Sequence, residues 1–151
     1  MFSQTVEYAL RAVVCLAQNA EHSLTTQQVS GMTRVPGSYL SKVLQLLGRA
    51  GLIQATRGIG GGYTLRRPPV EISILDVVNA IDPIRRITRC PLNLSTHGTH
   101  LCPLHRRLDN ALAAVQEVFE NTTIADVLAE PSRSTPLCEP RLVKLGTKTS
   151  K

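Results

Sequence analysis

The residues best suited to chemistry lie in one segment of the chain, between positions 90 and 105. Two cysteines and three histidines fall there: Cys90, His97, His100, Cys102 and His105. Thiolates and imidazoles bind zinc, and they also bind iron–sulfur centres in which histidine replaces part of the cysteine ligation. Two thiols could instead form a metal-free disulfide switch, and the plainest interpretation is that all five are ordinary loop residues. The residue types alone leave these four interpretations open.

The rest of the chain is typical of a soluble cytoplasmic protein. No apolar run approaches the ~20 residues of a membrane span, so we expect no membrane association. Glu7, Arg11 and Gln18 interrupt the N-terminal apolar positions, so we expect no secretory signal peptide. In the cytosol the four cysteines are expected to be thiols, metal ligands or redox sensors rather than structural disulfides. Aromatic residues make up only 3% of the chain, which favours helices packed through aliphatic side chains.

A long basic stretch without acidic residues runs from His22 to Val70. The net charge of the chain is +6, and six basic residues stand in this stretch without one acid: Arg34, Lys42, Arg49, Arg57, Arg66 and Arg67. Such a field of one sign suits a polyanion, because each neutralised phosphate releases condensed counterions. Charge alone is equally typical of a solvated surface, so the pattern of elements has to discriminate.

Apolar residues at helical spacing predict two short helices at the N-terminus. The first runs from Gln4 to about Asn19. The second begins after Thr25, whose spacing to Gln28 is that of a capping box, and it ends near Arg34.

A third helix and a hairpin carry the side chains best suited to reading DNA. Pro36 can occupy the first position of this helix, and its apolar face is Leu40, Val43, Leu44 and Leu47. Short polar side chains in its leading turn suit insertion into a major groove. A strand over 52–56, a glycine-rich tip over 57–62 and a returning strand over 63–66 follow.

This order of elements is a winged helix-turn-helix. The sequence therefore predicts a mainly α fold with a small β-hairpin wing, and specific binding to double-stranded DNA. The predicted DNA contacts are Thr26, Gln27, Ser38, Tyr39, Ser41, Lys42, Arg49, Arg57 and Gly60. The alternative is that the glycines merely form a tight hairpin and that Tyr39 is merely a half-buried ring.

Two other classes of function compete with DNA binding. An enzyme is not expected, because the glycine run opens a strand rather than a phosphate-binding helix and no catalytic triad or carboxylate pair stands out. A winged helix that binds proteins instead of DNA is the second rival, and the basic outer face is the feature that discriminates against it.

The second half of the chain predicts a dimer. A helix over 72–81 is followed by a long amphipathic helix from Pro103 to about Asn121 and a short helix over 122–128. The apolar stripe of the long helix is Leu104, Leu108, Ala111, Leu112, Val115 and Phe119. We expect this stripe to form a homodimer suited to a palindromic operator, with a helix folded onto its own core as the alternative.

The predicted organisation has four parts. A winged helix-turn-helix domain occupies residues 1–82 and a Cys/His-containing sensor loop residues 83–102. The dimerisation helix and the terminal short helix occupy 103–130, and a disordered basic tail with Cys138 occupies 131–151. Cys15 on the first helix is expected to be a small buried hydrophobe.

Several short motifs occur in order along residues 1–130. They are Tyr8-Ala9-Leu10-Arg11, Val35-Pro36, Tyr39-Leu40-Ser41-Lys42-Val43-Leu44, Ala50-Gly51-Leu52-Ile53, Arg57-Gly58 with Gly60-Gly61-Gly62-Tyr63-Thr64-Leu65, and Thr122-Thr123-Ile124-Ala125-Asp126-Val127-Leu128. In these motifs the chain resembles the Rrf2 family of bacterial winged-helix regulators, and the wing motif is the most specific. The resemblance implies a homodimer crossing over through the long helix, and control of genes for iron–sulfur, nitric-oxide or redox stress.

The same resemblance implies a place for a 2Fe–2S cluster. Many members hold an iron–sulfur cluster on three cysteines before the long helix, and Cys90 and Cys102 fall on the outer two positions. Thr96 and His97 stand where the middle cysteine would be. With a threonine and a histidine at this position, zinc, a thiol switch and a lost ancestral site stand as alternatives to the cluster.

Two further residues match ligands of particular branches of that family. His105 matches a histidine ligand, and Glu7 matches a first-helix carboxylate that ligates clusters across the dimer. The implied metal ligands are therefore Cys90, Cys102, His105 and Glu7, with His97 or His100 as alternative fourth ligands.

Overall fold

The computed structural model describes residues 2–97, 100–132, 134 and 136. Most of the predicted tail, including Cys138, lies outside the described residues. The helices are α1 (Gln4–Gln18), α2 (Thr26–Thr33), α3 (Gly37–Arg49), α4 (Ile74–Ile81), α5 (Pro103–Glu120) and α6 (Ile124–Ala129). The strands β1 (Ile53–Thr56) and β2 (Gly62–Leu65) form an antiparallel hairpin. The predicted mainly α fold with a hairpin wing is confirmed.

Side-chain hydrogen bonds cap the N-termini of α1, α2, α4 and α6, whereas α3 and α5 begin without one. The predicted capping box of α2 is present: Thr25 accepts from the Gln28 amide, and the Gln28 side chain accepts from the Thr25 amide. The interpretation of Pro36 as the first helical residue of α3 is wrong by one position. Its ψ of 135° is extended, so Pro36 is the N-cap, and its carbonyl accepts from the amides of Tyr39 and Leu40.

The core lies where α1 meets α3 and α4. All four apolar residues predicted for the inner face of α3 are at most 1% exposed: Leu40, Val43, Leu44 and Leu47. Cys15 of α1 is fully buried as predicted, with its thiol 3.8 Å from the Met32 sulfur. Burying such an aliphatic side chain contributes roughly 1.5–3 kcal/mol, so this shared core fixes the orientation of the outer face of α3.

The wing is anchored at its base to the connection between α1 and α2. Leu24 and Tyr63 exchange two backbone hydrogen bonds of 3.0 and 2.7 Å. A Cβ on Gly62 would lie 2.6 Å from the Leu24 backbone, and Gly62 has a φ of +153°. Glycine is therefore required for this approach.

The terminal helix α6 packs into the core of the N-terminal domain. Ile124 is 0% exposed and belongs to the same hydrophobic cluster as α1 and α3. The Ile74 amide donates to the Thr122 carbonyl at 2.9 Å, and the Ile124 amide donates to the Ile72 carbonyl at 2.8 Å. Helix α6 is thus continuous with the domain that contains the wing.

The long helix α5 lies on the surface of the single chain. None of its residues is buried, and Leu104 and Leu108 of the predicted stripe are 64% and 48% exposed. The alternative prediction, in which α5 folds back onto the core of its own chain, does not describe Leu104 and Leu108. Among the described residues, no helix is long and apolar enough to cross a membrane.

Candidate nucleic-acid interface and cysteine–histidine loop

The outer face of α3 presents the predicted DNA-contacting side chains to solvent. Ser38, Tyr39, Ser41, Lys42 and Arg49 are all exposed. The Ser41 hydroxyl donates to the Gly37 carbonyl at 3.0 Å, so its oxygen remains available as an acceptor. Because the opposite face is fully buried, the helix can offer only this polar face to a groove.

Two other elements supply the remaining predicted contacts. Thr26 and Gln27 form the first turn of α2, with Gln27 exposed. Arg57 and Gly60 lie in the exposed tip between β1 and β2, where Gly60 has a φ of +76°. Ile59 at this tip is completely exposed and was not among the predicted contacts. The Ile59 side chain packs against nothing within residues 2–97 and 100–132, and this exposure could not be read from the sequence.

Tyr39 is exposed but held in place. Its side chain is 60% exposed, so the interpretation as a half-buried ring does not describe it. The ring meets Tyr8 of α1 edge-on, with 6.2 Å between the ring centroids. The Arg11 guanidinium lies over the Tyr8 ring, with its carbon 5.7 Å from the ring centroid. Edge-to-face and cation–π contacts of this kind restrict the rotamers of the rings involved.

Arg11 connects α1 to the turn before α3. Its Nε donates to a Glu7 carboxylate oxygen at 2.7 Å, and its Nη1 donates to the Thr33 carbonyl at 3.4 Å. Thr33 is the last residue of α2, and Arg34 after it takes a left-handed conformation with a φ of 58°. Glu7, one of the four metal ligands implied by the resemblance, is therefore engaged in an ion pair within α1.

The loop before α5 contains two separate cysteine–histidine pairs. The Cys90 sulfur lies 3.2 Å from Nδ1 of His97, and the Cys102 sulfur lies 3.3 Å from Nδ1 of His105. The hydrogen bond from His97 lowers the pKa of the Cys90 thiol below its ordinary value, and the backbone amides of Leu92 and Leu94 lower it further. A lowered pKa increases the thiolate fraction, and the thiolate is the form that binds metals and reacts with oxidants.

The structure does not gather the implied metal ligands at one point. Within residues 2–97 and 100–132, no group of three or more His, Cys, Asp or Glu side chains is placed to hold a metal ion. Cys102 and His105 form one pair, Cys90 and His97 form another, and Glu7 is bound to Arg11. The donors are of the right chemical type for zinc or a mixed-ligand cluster, but their arrangement in one chain does not fit either.

A charged clamp joins the start of this loop to α5. Arg86 donates to both carboxylate oxygens of Asp109, at 2.7 and 2.6 Å, and the Ile87 amide donates to the same carboxylate at 2.8 Å. The hydrogen bond from Arg86 lowers the pKa of Asp109 and raises that of Arg86 itself. Gln116 further donates to the Ile84 carbonyl at 2.9 Å. Residues 84–87 at the start of the loop are therefore tied to α5 by four hydrogen bonds.

Comparisons with known proteins also indicate a winged-helix transcriptional regulator. The sequence profile of the Rrf2 family, described as iron-dependent transcriptional regulators, matches residues 2–130. An HTH-type transcriptional regulator from Aquifex aeolicus is 28% identical over 85% of this chain and 91% of its own length. The HTH-type transcriptional regulator NsrR from Shouchella clausii is 34% identical over 81% of this chain and 84% of its own length. The structure of CymR, the global cysteine regulator of B. subtilis, superimposes with a TM-score of 0.71 at 25% identity, over 84% of this chain and 95% of CymR.

Proposed function

The chain belongs to the Rrf2 family of transcriptional regulators, and from that premise we propose that it acts as a homodimer on a palindromic operator. In this proposal α3 enters the major groove and the wing contacts the neighbouring backbone. The segment from Cys90 to His105 is the sensory input. The observation that carries the proposal is the exposed polar and basic face of α3 together with the exposed Arg57 at the wing tip.

The charge distribution supports DNA as the partner of this face. No acidic residue occurs between Glu21 and Glu71, so nothing on α2, α3 or the wing repels phosphates. Lys42 and Arg57 form no ion pair within the described part of the chain. Cations that have no internal partner can exchange their water and counterions for phosphate contacts.

The exposure of α5 supports a dimer. A long helix without one buried residue and with two leucines about half or more exposed is unusual for a stable monomer. A second α5 packed against this stripe would bury it, and the two-fold symmetry of such a pair would set two α3 helices toward two half-sites.

The input is proposed to work through the thiols and imidazoles of the two cysteine–histidine pairs. The description of the family as iron-dependent favours iron as the signal, and CymR, described as a global cysteine regulator, favours thiol chemistry. The 2Fe–2S cluster implied by the resemblance would need Cys90, Cys102 and His105 in one shell, and a single chain does not present that shell.

Replacement of the Lys42 and Arg57 side chains tests whether α3 and the wing bind the operator. The selected operator is first enriched from random duplex DNA by the full-length protein. We expect the double variant Lys42→Ala/Arg57→Ala to lose about 10- to 100-fold in operator affinity. The slope of log K against log salt should fall by about 1.8, if each cation meets one phosphate. The matched control is Arg85→Ala/Arg107→Ala, which removes two exposed arginines outside this face. Equal losses in both double variants would contradict the proposal.

Anaerobic purification of the full chain tests how the segment from Cys90 to His105 senses its signal. Visible absorbance with about two iron and two sulfide per chain would identify a 2Fe–2S cluster, and stoichiometric zinc would identify a closed zinc site. A metal-free protein in which peroxide joins Cys90 to Cys102 and changes operator affinity would identify a thiol switch. If the double variant Cys90→Ser/Cys102→Ser bound operator like the wild type under all these conditions, the segment would not be the input.

A further inference from the structure

A recess between α1 and α3 has a lining that the predicted interface does not include. Its volume is 370 Å³, and it is lined by Thr5, Tyr8, Ser38, Tyr39, Lys42 and Val43. Thr5 and Tyr8 come from α1, which contributes none of the predicted DNA contacts. Val43 forms an apolar floor at 1% exposure, while every other lining residue carries a hydroxyl or an ammonium group.

The polar groups of this recess have no hydrogen-bond or ion-pair partner in the part of the chain that the structure describes. Among the described residues, the Thr5, Tyr8, Ser38 and Tyr39 hydroxyls and the Lys42 ammonium make no side-chain hydrogen bond or ion pair. Thr5 and Tyr8 are nevertheless only partly exposed. Four hydroxyl donors and one cation that converge without internal partners match an anionic oxygen-rich group.

The rings that line the recess are held in position. Tyr8 lies between the Arg11 guanidinium, 5.7 Å from its centroid, and the Tyr39 ring, 6.2 Å away. Arg11 itself is fixed by Glu7 and by the Thr33 carbonyl. Since Glu7 is the acid adjacent to Tyr8 and its charge is paired with Arg11, it does not cancel the positive potential of Lys42.

We propose that this recess binds one phosphodiester group of the DNA backbone, with Tyr8 and Thr5 donating hydrogen bonds and Lys42 supplying the charge. The inference rests on the proposed function, because only a docked α3 brings a phosphate to this place. It adds helix α1 to the DNA interface. A phosphate held between α1 and α3 fixes the depth and angle at which α3 enters the groove, and it carries no sequence information of its own.

The first test uses conservative variants that keep the shape of the side chains. Tyr8→Phe and Thr5→Val should each lower the affinity by about two- to tenfold, which corresponds to one lost hydrogen bond. The loss should be equal for the enriched operator and for a scrambled duplex, since a phosphate is present in both. Lys42→Met should lower the salt slope by about 0.9, whereas Tyr8→Phe should leave the slope unchanged because it removes no charge. Thr122→Val, in the connection between α5 and α6 and outside the recess, is the matched control and should bind both duplexes like the wild type.

The second test locates the phosphate. Neutral methylphosphonate is placed at successive backbone positions of the enriched duplex, one position per duplex. For the wild type we expect a position at which this replacement costs affinity, and for Tyr8→Phe the cost at that same position should shrink. The inference would be overturned if the losses from Tyr8→Phe and from the methylphosphonate were additive at every backbone position. It would also be overturned if Tyr8→Phe and Thr5→Val both bound with wild-type affinity. A loss limited to the operator would also overturn it, because it would indicate a base contact.

The two levels of the proposal fail differently. If the wild-type protein bound neither duplex, the proposed function itself would fail. If the wild type bound the operator, and Tyr8→Phe and Thr5→Val bound it with the same affinity, the recess would not be a phosphate site. The proposed function would then stand. Thermal unfolding of each variant checks that the fold is retained, and the exposed position of Lys42 keeps one arm of the test independent of folding.

Discussion

The Cys90–His97 pair shows how one turn changes the chemistry of a thiol. His97 ends a short 3-10 turn, Ser95–His97, and this turn brings its ring to the Cys90 sulfur at 3.2 Å. The hydrogen bond favours the thiolate and lowers the pKa of Cys90. The lowered pKa raises the fraction of Cys90 that is thiolate, the form that binds metals and reacts with oxidants.

Replacement of His97 should slow the reaction of Cys90. Without the imidazole we expect the pKa of Cys90 to rise toward that of an ordinary thiol, because the hydrogen bond that most lowers it is lost. The rate of alkylation by iodoacetamide follows the thiolate fraction, so its pH profile at Cys90 should shift to higher pH in His97→Ala. Mass spectrometry of the reduced full-length protein measures that rate at each cysteine separately. His22→Ala, an exposed histidine of the basic stretch, is the control. Identical profiles for His97→Ala and the wild type would show that the pair does not tune the thiol.

The sequence predicted some of these residues and missed others for physical reasons. Cys90, Cys102 and His105 were proposed as ligands from their chemical type and from the family resemblance. The pairing of His97 with Cys90 depends on an irregular turn that leaves no periodic pattern. Tyr8 was missed as part of a recess because it belongs to an amphipathic helix, and its contact with Tyr39 arises only when α1 packs against α3.

At the scale of elements, the clamp between Arg86 and Asp109 fixes the loop to α5. The carboxylate accepts from both Arg86 and the Ile87 amide. Because the pKa of Asp109 is lowered in the folded protein, the clamp contributes stability above the carboxyl pKa of the unfolded chain. That contribution is lost as the pH falls through the lower folded value.

Asp109→Asn should release the loop without unfolding the domain. The amide can accept one hydrogen bond but carries no charge for Arg86. We expect faster hydrogen exchange over residues 84–90 at neutral pH, measured by mass spectrometry, with α1 and α3 unchanged. Glu117→Gln, an exposed carboxylate on the same helix, is the matched control. Unchanged exchange over 84–90 in Asp109→Asn would show that the clamp does not hold the loop.

Among the elements, α6 is the one whose packing position was predicted least well. Its limits were close to the observed ones, since Thr123 and Asp126 form a capping box that the pattern could indicate. Its place in the N-terminal core depends on the pairing of Ser73 with Thr123, which are far apart in the chain. The helices of residues 4–49, in contrast, follow from apolar periodicity, with the start of α3 displaced by one residue from its predicted position.

Truncation of Ile124 should destabilise the DNA-binding domain itself. The side chain is 0% exposed in the shared core, so Ile124→Ala should lower the free energy of unfolding by about 2–5 kcal/mol. Ile124→Val should cost about 0.5–1.5 kcal/mol. Urea unfolding followed by circular dichroism measures both. Ile59→Ala, at the fully exposed wing tip, is the control and should change the value by less than about 0.5 kcal/mol. A loss of dimer with unchanged unfolding energy in Ile124→Ala would contradict this placement.

For the whole molecule, the unburied helix α5 predicts assembly. We expect Leu108→Asp to convert a dimer into a monomer, because it places a carboxylate in the middle of the apolar stripe. Light scattering after gel filtration measures the molar mass, and circular dichroism should show retained helix. Asn110→Asp introduces the same charge on an exposed position of the same helix and should remain dimeric. A wild-type chain that is monomeric at all concentrations would contradict the assignment of α5.

Sequence-specific binding to DNA is the claim on which the roles of α3, the wing and the loop depend. It is tested most directly by titrating the full-length protein with its enriched duplex and with a scrambled duplex at a series of salt concentrations. We predict that the enriched duplex binds at least about 10³-fold more tightly than the scrambled one. The affinity for both should fall linearly on a plot of log K against log salt. Equal affinity for the two duplexes, or no salt-dependent binding to either, would contradict it.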